Sequence, residues 1–472
     1  MDKKTKIVCT IGPASWGEDI LKKMIKAGMN VARINGAFAD ITELKRVSEL
    51  IRSLSTDVAL LLDVKGHEIR LSKFSSSIHI EVGQEFIIGS CPEHGIYPVT
   101  YPELYKDINV GQILLIDKGL TTLEVVKIED EKIYTKVITG NTISSGKGMN
   151  VPGAHLKNDP ITKIDKEQIE FVVKDGWDFI AASFVRNAGD IKILRQELGE
   201  SNIQVISKIE DQQGVDNFEE ILKVSDGIMI ARGDMGSEMP YEKLPILQKE
   251  MIYKCNKVAK PVITATNMLE SMCESVIPTR AEITDVANAI LDGTDAIMTS
   301  GETSSGKYPV ESIEAMTRIA KENEKYLLTE ILESEQLEGS EINIAISNAA
   351  FEFVTELDSI TKFLVCTQSG ITARLLARLN FSIPIYALVS NNSLMRQLNL
   401  SKNIYSIKYE KQFNDRDRAV KEIMDFAIES KLINKDDKIL LIASSKYANK
   451  GAVNYPNLFE YIEVANYEVN QL

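Results

Sequence analysis

The chain has 472 residues, and at roughly 150 residues per domain this length predicts about three domains. It carries 68 acidic and 54 basic residues, a net charge of −14, which is too little positive charge for nucleic acid to be its main partner. Its hydrophobic fraction of 44% is typical of a globular protein, and no apolar run approaches the roughly 20 residues that a membrane span requires.

Short apolar segments alternate with amphipathic ones over most of residues 1–310. Most of the apolar segments are continuous and rich in β-branched residues, as in strands that are covered on both faces. Helical patterns such as Glu18–Ala27 and Ala188–Leu198 lie between them. Eight such units predict a closed (β/α)8 TIM barrel, with an open doubly wound sheet as the alternative. The strand candidates are Lys6–Ile11, Met29–Ile34, Val58–Asp63, Asp178–Phe184, Ile203–Ile209, Gly227–Ala231, Pro261–Ala265 and Asp295–Met298.

One interruption after the third barrel strand breaks this rhythm. From about Leu71 to Pro152 short alternating stretches are separated by turn signals such as Gly140-Asn141, which is typical of a small all-β domain. A domain inserted in a βα loop overhangs the carboxyl face of the barrel, so we expect it to act as a lid.

A further α/β segment follows Tyr308-Pro309. Its strand candidates include Phe363–Cys366 and Ile385–Val389, with a helical pattern over Ile371–Leu379. The predicted organisation is therefore an α/β fold of three parts. These are a catalytic barrel (residues 1–70 and 153–310), an inserted β-barrel-like lid domain (71–152), and a C-terminal α/β domain (311–472) for effector binding or oligomerisation.

Polar side chains at the carboxyl ends of the barrel strands are the candidates for chemistry, because these ends face one mouth. Glu210 and Asp234 belong to neighbouring strands and suit Mg²⁺, which takes one or two protein carboxylates. The alternative is a structural Lys–Glu or Arg–Asp ion pair. The strand-end candidates are Arg33, Asn35, Asp63, Lys65, Ser183, Lys208, Glu210, Asp234, Thr266 and Ser300.

Residues 367–372 follow an apolar strand and open a helix. The hydroxyls of Thr367, Ser369 and Thr372, with free backbone N–H groups such as that of Gly370, could hold a phosphate. A plain helix N-cap is equally consistent with these residues.

Cysteine usage and the N-terminus bear on location. The five cysteines are scattered without metal-ligand spacing, and no secretory signal precedes the first strand pattern. We therefore expect a reducing, cytoplasmic environment.

Several long motifs at the strand ends resemble those of the pyruvate kinase family, in the same order along essentially the whole chain. The opening segment Lys6–Ser15 is one of them, and Ala265–Met272 is another. The remaining motifs are Ile206–Glu210, Ala231–Asp234, Thr279–Glu282, Asp285–Ala289 and Ser300–Thr303.

The resemblance implies transfer of a phosphoryl group from phosphoenolpyruvate to ADP, giving pyruvate and ATP. Glu210 and Asp234 would hold Mg²⁺ or Mn²⁺ against the substrate. Lys208 would neutralise the phosphoryl group in flight, and Arg33 would help to clamp it. Such chemistry needs positioning and charge neutralisation more than a covalent nucleophile.

The same resemblance implies further roles around the mouth. Backbone amides near Gly233 and Asp234, with Thr266, would receive the substrate carboxylate, and Thr266 would lie on the route that protonates the enolate. Arg70 and Lys147 would contact nucleotide phosphates from the lid side. A homotetramer is also implied.

The chain departs from the family pattern at a potassium site. Ala37 and Val64 stand where members usually have serine and threonine, so Asn35 and Asp63 would be the only side-chain ligands left. Weak or absent potassium activation is expected, although Glu68 keeps the residue type of potassium-using members. Asn35 would also contact the nucleotide.

Other departures leave the nucleotide preference and the effector open. Phe38 replaces a histidine near the nucleotide, and Lys118 stands where a lid carboxylate is common. Thr367, Ser369, Gly370 and Thr372 resemble a sugar-phosphate effector pocket, but Gln368 replaces the lysine that some allosteric members have.

Two other functions compete with this prediction. The altered potassium and nucleotide positions suit a catalytically impaired regulatory paralogue, whereas the intact Lys208, Glu210 and Asp234 favour a working enzyme. Another barrel enzyme acting on a pyruvate enolate would reuse the metal site but would have little need of Lys147.

Overall fold

The computed structural model describes residues 3–74, 76–90, 95–117, 119–329, 341–410, 416–443 and 458–467. Lys118 therefore lies outside the described residues. The strands are β1 (Lys6–Ile11), β2 (Val31–Asn35), β3 (Ala59–Asp63), β4 (Ile78–His79), β5 (Glu85–Gly89), β6 (Ile96–Pro98), β7 (Ile113–Ile116), β8 (Thr121–Glu129), β9 (Lys132–Thr139), β10 (Thr142–Ile143), β11 (Met149–Asn150), β12 (Phe179–Ala182), β13 (Gln204–Ile209), β14 (Gly227–Ala231), β15 (Val262–Ala265), β16 (Ala296–Thr299), β17 (Lys362–Cys366), β18 (Ile385–Val389), β19 (Ile404–Lys408), β20 (Lys438–Ala443) and β21 (Leu458–Glu463). The α-helices are α1 (Glu18–Ala27), α2 (Ile41–Leu54), α3 (Leu104–Asp107), α4 (Lys163–Asp175), α5 (Ala188–Leu198), α6 (Gln212–Asp216), α7 (Phe218–Val224), α8 (Arg232–Glu238), α9 (Leu244–Lys257), α10 (Arg280–Leu291), α11 (Gly301–Ser304), α12 (Pro309–Asn323), α13 (Glu341–Glu356), α14 (Ile371–Ala377), α15 (Asn392–Leu398) and α16 (Arg416–Glu429).

Eight parallel strands close into the predicted barrel in the order β1-β16-β15-β14-β13-β12-β3-β2. Their side chains are almost entirely buried, because inward residues fill the barrel and outward residues pack under the helices. The closed barrel is confirmed, and the open doubly wound alternative for this segment is wrong.

Several strands are shorter than their apolar patterns. The predicted strand Asp178–Phe184 is β12, Phe179–Ala182. Asp178 instead accepts hydrogen bonds at the start of the strand, and Phe184 has a φ of +53°, which ends the extended chain. A positive φ of this kind cannot be predicted from the pattern of apolar residues.

The inserted segment forms a six-stranded sheet in the order β11-β7-β8-β9-β5-β6 and a two-stranded ribbon of β4 and β10. It has its own apolar core, which includes Phe86, Leu123 and Val137. Because it leaves the barrel after β3 and returns before β12, it lies over the carboxyl ends of the barrel strands, as the sequence predicts.

The C-terminal domain contains a five-stranded sheet in the order β19-β18-β17-β20-β21, in which β21 is antiparallel. It docks against the amino ends of the barrel strands. The Lys6 ammonium donates to the carbonyl of Ile404 at 2.6 Å, and the Lys402 N–H donates to Asp295 at 3.0 Å. No helix in the described part of the chain is long and apolar enough to cross a membrane.

Leu400 of this domain is fully buried in the same cluster as the inward-facing barrel residues Val31, Ala59 and Phe179. It therefore closes the amino end of the barrel. We expect Leu400→Ala to lower the free energy of unfolding in urea by about 3 kcal/mol, since it leaves a cavity at a packed junction. The exposed Leu291 is the control, and Leu291→Ala should change the same value by less than about 0.5 kcal/mol. Equal effects of the two variants would contradict this role.

Candidate active site

A cluster of charged side chains lies at the carboxyl ends of β2, β3 and β13. The Arg33 guanidinium donates twice to Asp63 Oδ2, each bond 2.7 Å long. The Lys208 ammonium lies 3.0 Å from Asp63 Oδ1, 3.0 Å from Glu210 Oε1 and 2.7 Å from Ser183 Oγ. The structure thus brings together side chains from three separate strands. The Arg–Asp and Lys–Glu ion pairs that the sequence analysis gave as the alternative to a metal site are present.

Burial and neighbouring charges set the protonation of this cluster. Burial opposes the charged form of Lys208, but Asp63 and Glu210 outweigh it and raise the pKa of the ammonium above its usual range. Burial likewise opposes ionised Asp63, but Arg33 and Lys208 outweigh it and lower the pKa of that carboxyl. Lys208 is therefore a fixed positive charge, which is the form that stabilises a phosphoryl group.

The negative charge of Glu210 is only partly neutralised, because the Lys208 ammonium also pairs with Asp63. Burial raises its pKa to about 8; Lys208 opposes this shift and Asp234 adds to it. An additional cation beside Glu210 and Asp234 would remove this penalty, and two carboxylates are a set that Mg²⁺ uses. The residues present thus fit a divalent metal ion. The set is limited to two protein ligands, since among the described residues there is no group of three or more His, Cys, Asp or Glu that could hold a metal ion, and water or substrate oxygens would complete the coordination.

The predicted carboxylate-binding segment is built around Thr266, whose φ of +67° is rare for a β-branched residue. Its hydroxyl accepts a hydrogen bond from the Gly233 N–H at 2.7 Å and donates to the carbonyl of Ala265. Arg232 holds the turn by donating to the carbonyl of Thr266 at 2.8 Å and to both oxygens of Asp285 at 2.7 Å. The sequence analysis assigned no role to Arg232 or Asp285, although they lie in the family-like motifs Ala231–Asp234 and Asp285–Ala289.

A cavity of about 480 Å³ separates the lid domain from the barrel mouth. Arg70 and Lys147 line it from the lid side, and Asp234 lines it from the barrel side. Arg70 pairs with Glu68 at 2.6 Å, and the Lys147 ammonium lies 2.8 Å from an Asp117 carboxylate oxygen. The two cations predicted for the nucleotide therefore face the candidate metal site across one cavity.

Two further residues of this cavity were not predicted. His67 is 8% exposed, its Nδ1 has no hydrogen-bond partner, and burial lowers its pKa to about 3. Burial raises the pKa of Glu238 to about 7, while a hydrogen bond from the lid residue Asn150 opposes the shift. Glu238 follows Asp234 by one helical turn, a spacing that could have drawn attention to it.

The potassium candidates occupy neighbouring strand ends, since Asn35 of β2 pairs with Asp63 of β3. Both oxygens of Asp63 already contact cations, and the side chain of Asn35 accepts from the N–H of Ala37 at 3.1 Å. Neither Ala37 nor the buried Val64 has a side-chain oxygen. This geometry is consistent with weak potassium binding, which remains a prediction.

The candidate effector residues lie before α14. Thr367 Oγ accepts from the Gly370 N–H at 2.9 Å, and Thr372 donates its hydroxyl to buried Asn343 at 2.8 Å. Ser369 is exposed. The helix begins after Gly370, which has no side chain, and the Ser369 hydroxyl accepts from the Ile371 N–H at 3.4 Å, so local capping by these hydroxyls also fits this turn. Phosphate binding at this turn also remains a prediction.

Comparison with known proteins agrees with this geometry. Residues 2–313 match a family model described as pyruvate kinase, barrel domain, and residues 344–457 match pyruvate kinase, alpha/beta domain. A pyruvate kinase of Sporosarcina psychrophila is 40% identical over 467 residues, 96% of this chain and 79% of that protein. One of Clostridium acetobutylicum is 38% identical, over 96% of this chain and 98% of that protein.

A solved structure is similar over nearly the whole chain. The crystal structure of a pyruvate kinase from Cryptosporidium parvum matches with a TM-score of 0.87 and 32% sequence identity. The match covers 98% of this chain and 96% of the other. Because the two family models together cover most of its length, the chain belongs to the pyruvate kinase family.

Proposed function

We propose that this protein is a phosphotransferase that moves the phosphoryl group of phosphoenolpyruvate to ADP, giving pyruvate and ATP. The observation that carries the proposal is the buried Lys208 ammonium, held 3.0 Å from both Asp63 and Glu210 at the barrel mouth. A permanent positive charge in a site of low dielectric stabilises negative charge that develops on a transferring phosphoryl group.

Arg33 and Lys208 act as the clamp. Both residues are buried and contact opposite oxygens of Asp63, so the carboxylate fixes their separation. Thr10 adds a third contact by accepting from Arg33 at 2.7 Å. Side chains positioned in this way neutralise the phosphoryl oxygens without reorganising during transfer.

Members of this family generally use a divalent metal ion, and we assign its ligands here to Glu210 and Asp234. Mg²⁺, or Mn²⁺ in its place, would supply further charge neutralisation and would orient oxygens of the substrate. Lys208 contacts Glu210 but, as a cation, is not itself a ligand.

Thr266 and Gly233 would bind the carboxylate end of the substrate. The Gly233 N–H donates to Thr266 Oγ at 2.7 Å, and the Thr266 hydroxyl donates to the carbonyl of Ala265, so both donors would exchange these bonds for bonds to the carboxylate. Once the phosphoryl group has left, the enolate needs a proton on its terminal carbon. The Thr266 hydroxyl is the group that would pass this proton towards it.

The lid would complete the site from above. Arg70 and Lys147 line the cavity opposite Asp234 and would bind the phosphates of ADP. Closure of the lid over both substrates would keep water from intercepting the phosphoryl group.

The purified protein with phosphoenolpyruvate, ADP and Mg²⁺ should produce pyruvate, which a coupled dehydrogenase assay measures. The same assay without ADP is the control, because an enzyme that only cleaves or carboxylates an enolate would not need the nucleotide. Ligand binding without product, at any cation composition, would favour a regulatory paralogue and contradict the proposed activity.

Potassium dependence is a separate prediction. Because Ala37 and Val64 supply no side-chain oxygen, activity at saturating Mg²⁺ should rise little when potassium replaces an organic cation at constant ionic strength. The restoring variant Ala37→Ser is the comparison, and it should respond more strongly. A large, saturable potassium activation of the natural protein would contradict the prediction.

The cellular location and the oligomeric state are further inferences from the family resemblance. The described cysteines Cys9, Cys255, Cys273 and Cys366 form no disulfide, which supports a reducing cytoplasm. We further infer a homotetramer, and light scattering on the purified protein tests it.

A further inference from the structure

A small cavity lies between the barrel and the C-terminal domain, far from the barrel mouth. Asn256, Pro261 and Asp295 line it from the barrel, and Arg374 and Arg378 of α14 and its C-terminal end line it from the other side together with Ser401. Because Asp295 immediately precedes β16, the cavity is at the amino end of the barrel, opposite the candidate active site.

Arg378 is a buried cation without a counter-ion. It is 2% exposed, and its Nη1 donates to the carbonyl of Lys257 at 2.9 Å. Its Nε and Nη2 are buried and have no hydrogen-bond partner, and no carboxylate in the described part of the chain lies within ion-pair distance. A buried charge left in this state is strongly destabilising, so such groups normally have a partner.

Two further unsatisfied groups line the same cavity. The Nε of Arg374 and the Oγ of Ser401 are buried and unpartnered, although Arg374 Nη2 reaches Gln204 Oε1 at 3.2 Å. Three N–H groups and one hydroxyl are therefore without acceptors around one cavity. All four atoms can donate a hydrogen bond, and three of them can only donate.

The remaining charges of the cavity leave it positive. Among the lining residues Lys260, Arg374 and Arg378 outnumber the single carboxylate Asp295. The carboxylate of Asp226 acts on Arg374 and Lys260 from outside the lining, and Arg378 has no such partner among the described residues. Both oxygens of Asp295 accept backbone hydrogen bonds, from Lys402 and Val262, and the Lys260 ammonium donates to the carbonyls of Leu222 and Lys223. Asp295 therefore does not satisfy the open guanidinium groups by hydrogen bonding.

The size of the cavity limits the occupant to one small species. Its free volume of about 10 Å³ is about what one water molecule requires, so a somewhat larger chloride ion fits when the side chains of Arg374 and Arg378 shift slightly. A water molecule can accept only two of the hydrogen bonds that the unpartnered groups offer, whereas a monatomic anion accepts hydrogen bonds from every side. We propose that this cavity binds one chloride-sized monovalent anion, held by Arg378, Arg374 and Ser401.

The site would join two domains. All four unpartnered donors belong to the C-terminal domain, while Asn256, Pro261 and Asp295 form the barrel wall. An anion held there neutralises charge that docking buries, so its binding should stabilise the docked arrangement by mass action.

Bromide provides a direct test, because it replaces chloride and scatters anomalously. Crystals of the natural protein grown in sodium bromide should show an anomalous peak in contact with Arg378 and Ser401. Crystals of Arg378→Met should lose this peak while any surface bromide sites remain. A water molecule or a cavity without an anomalous peak in the natural protein would overturn the proposal.

Solution measurements keep the test independent of crystals. At constant ionic strength, replacing gluconate with chloride should raise the thermal midpoint saturably in the natural protein, and the rise should vanish in Arg378→Met. Arg318→Met removes an equal charge from an exposed site on α12 and should keep the full rise.

If Arg378→Met does not fold, Ser401→Ala should weaken the apparent chloride affinity several-fold. Equal chloride responses in the natural protein and the folded cavity variants, or a response to phosphate but not chloride, would refute the assignment.

Discussion

Lys208→Met is expected to lower kcat by about 10³-fold, which corresponds to ~4 kcal/mol of transition-state stabilisation. Methionine is unbranched and keeps most of the length of the side chain, but it removes the charge that lies between Asp63 and Glu210. Because lysine is not a metal ligand, Mn²⁺ should still bind, as measured by electron paramagnetic resonance. Substrate affinity should fall much less than kcat, since the charge acts mainly on the transferring group.

The pH dependence of Mn²⁺ binding supplies a second readout for this variant. Lys208 holds down the pKa of Glu210, which burial has already raised to about 8. Without the lysine this pKa should rise further, so protons compete better with the metal and Mn²⁺ affinity should fall at neutral pH. The affinity should recover as the pH rises and Glu210 ionises. A merely structural role for Lys208 predicts no such recovery.

Exposed Lys45 on α2 provides the matched control, and Lys45→Met should leave both kcat and Mn²⁺ binding unchanged. If Lys208→Met kept most of the activity of the natural protein, the assigned clamp would be wrong. If it lost Mn²⁺ binding at every pH, Lys208 would be required for the metal site itself, and the claim that its charge acts mainly on the transferring group would be contradicted.

The barrel was predictable because its strands are covered on both faces. Segments such as Gly227–Ala231 must be continuously apolar, and the structure places that strand within the same bounds. Strand ends were less predictable, because a strand ends where the backbone dihedral angles leave the extended region, and an apolar pattern does not encode these angles. Phe184, with its positive φ, shows this directly.

The site was predictable in its members but not in its contacts. Topology alone brings Arg33, Asp63 and Lys208 to one mouth, because the carboxyl ends of parallel strands meet there. That one carboxylate, Asp63, serves both cations depends on side-chain directions that spacing does not encode. The role of Arg232 was missed for the same reason, since its partner Asp285 is 53 residues away.

The contacts between the barrel and the C-terminal domain could not be predicted from the sequence. Nothing in the pattern of Leu400 distinguishes an apolar residue that closes the barrel from one inside its own domain. The sequence pattern likewise did not show that Asp178 takes part in domain docking, because it predicts this residue only as the first residue of a strand. In the structure it is fully buried and accepts hydrogen bonds from both domains.

Asp178→Ala is accordingly expected to lower the free energy of unfolding by about 3 kcal/mol, because it leaves the partly buried guanidinium groups of Arg396 and Arg52 without their fully buried carboxylate. Arg396 of the C-terminal domain donates to Asp178 Oδ1 at 2.7 Å, and Arg52 of the barrel donates to Oδ2 at 2.7 Å. The Leu60 N–H donates to the same Oδ2 at 2.9 Å. Calorimetry should show the transitions of the two domains moving apart, since Asp178 links them.

The control for this variant is Glu170→Gln, which breaks an exposed ion pair with Lys174 on α4 and should leave the unfolding transition in place. Asp178→Asn should fall between the natural protein and the alanine variant, because an amide still accepts one hydrogen bond but carries no charge. Unfolding of Asp178→Ala in a single transition at the natural midpoint would mean that docking rests on Leu400 and the apolar contacts instead. The buried carboxylate would then specify how the domains align without adding stability, as buried ion pairs do in other proteins.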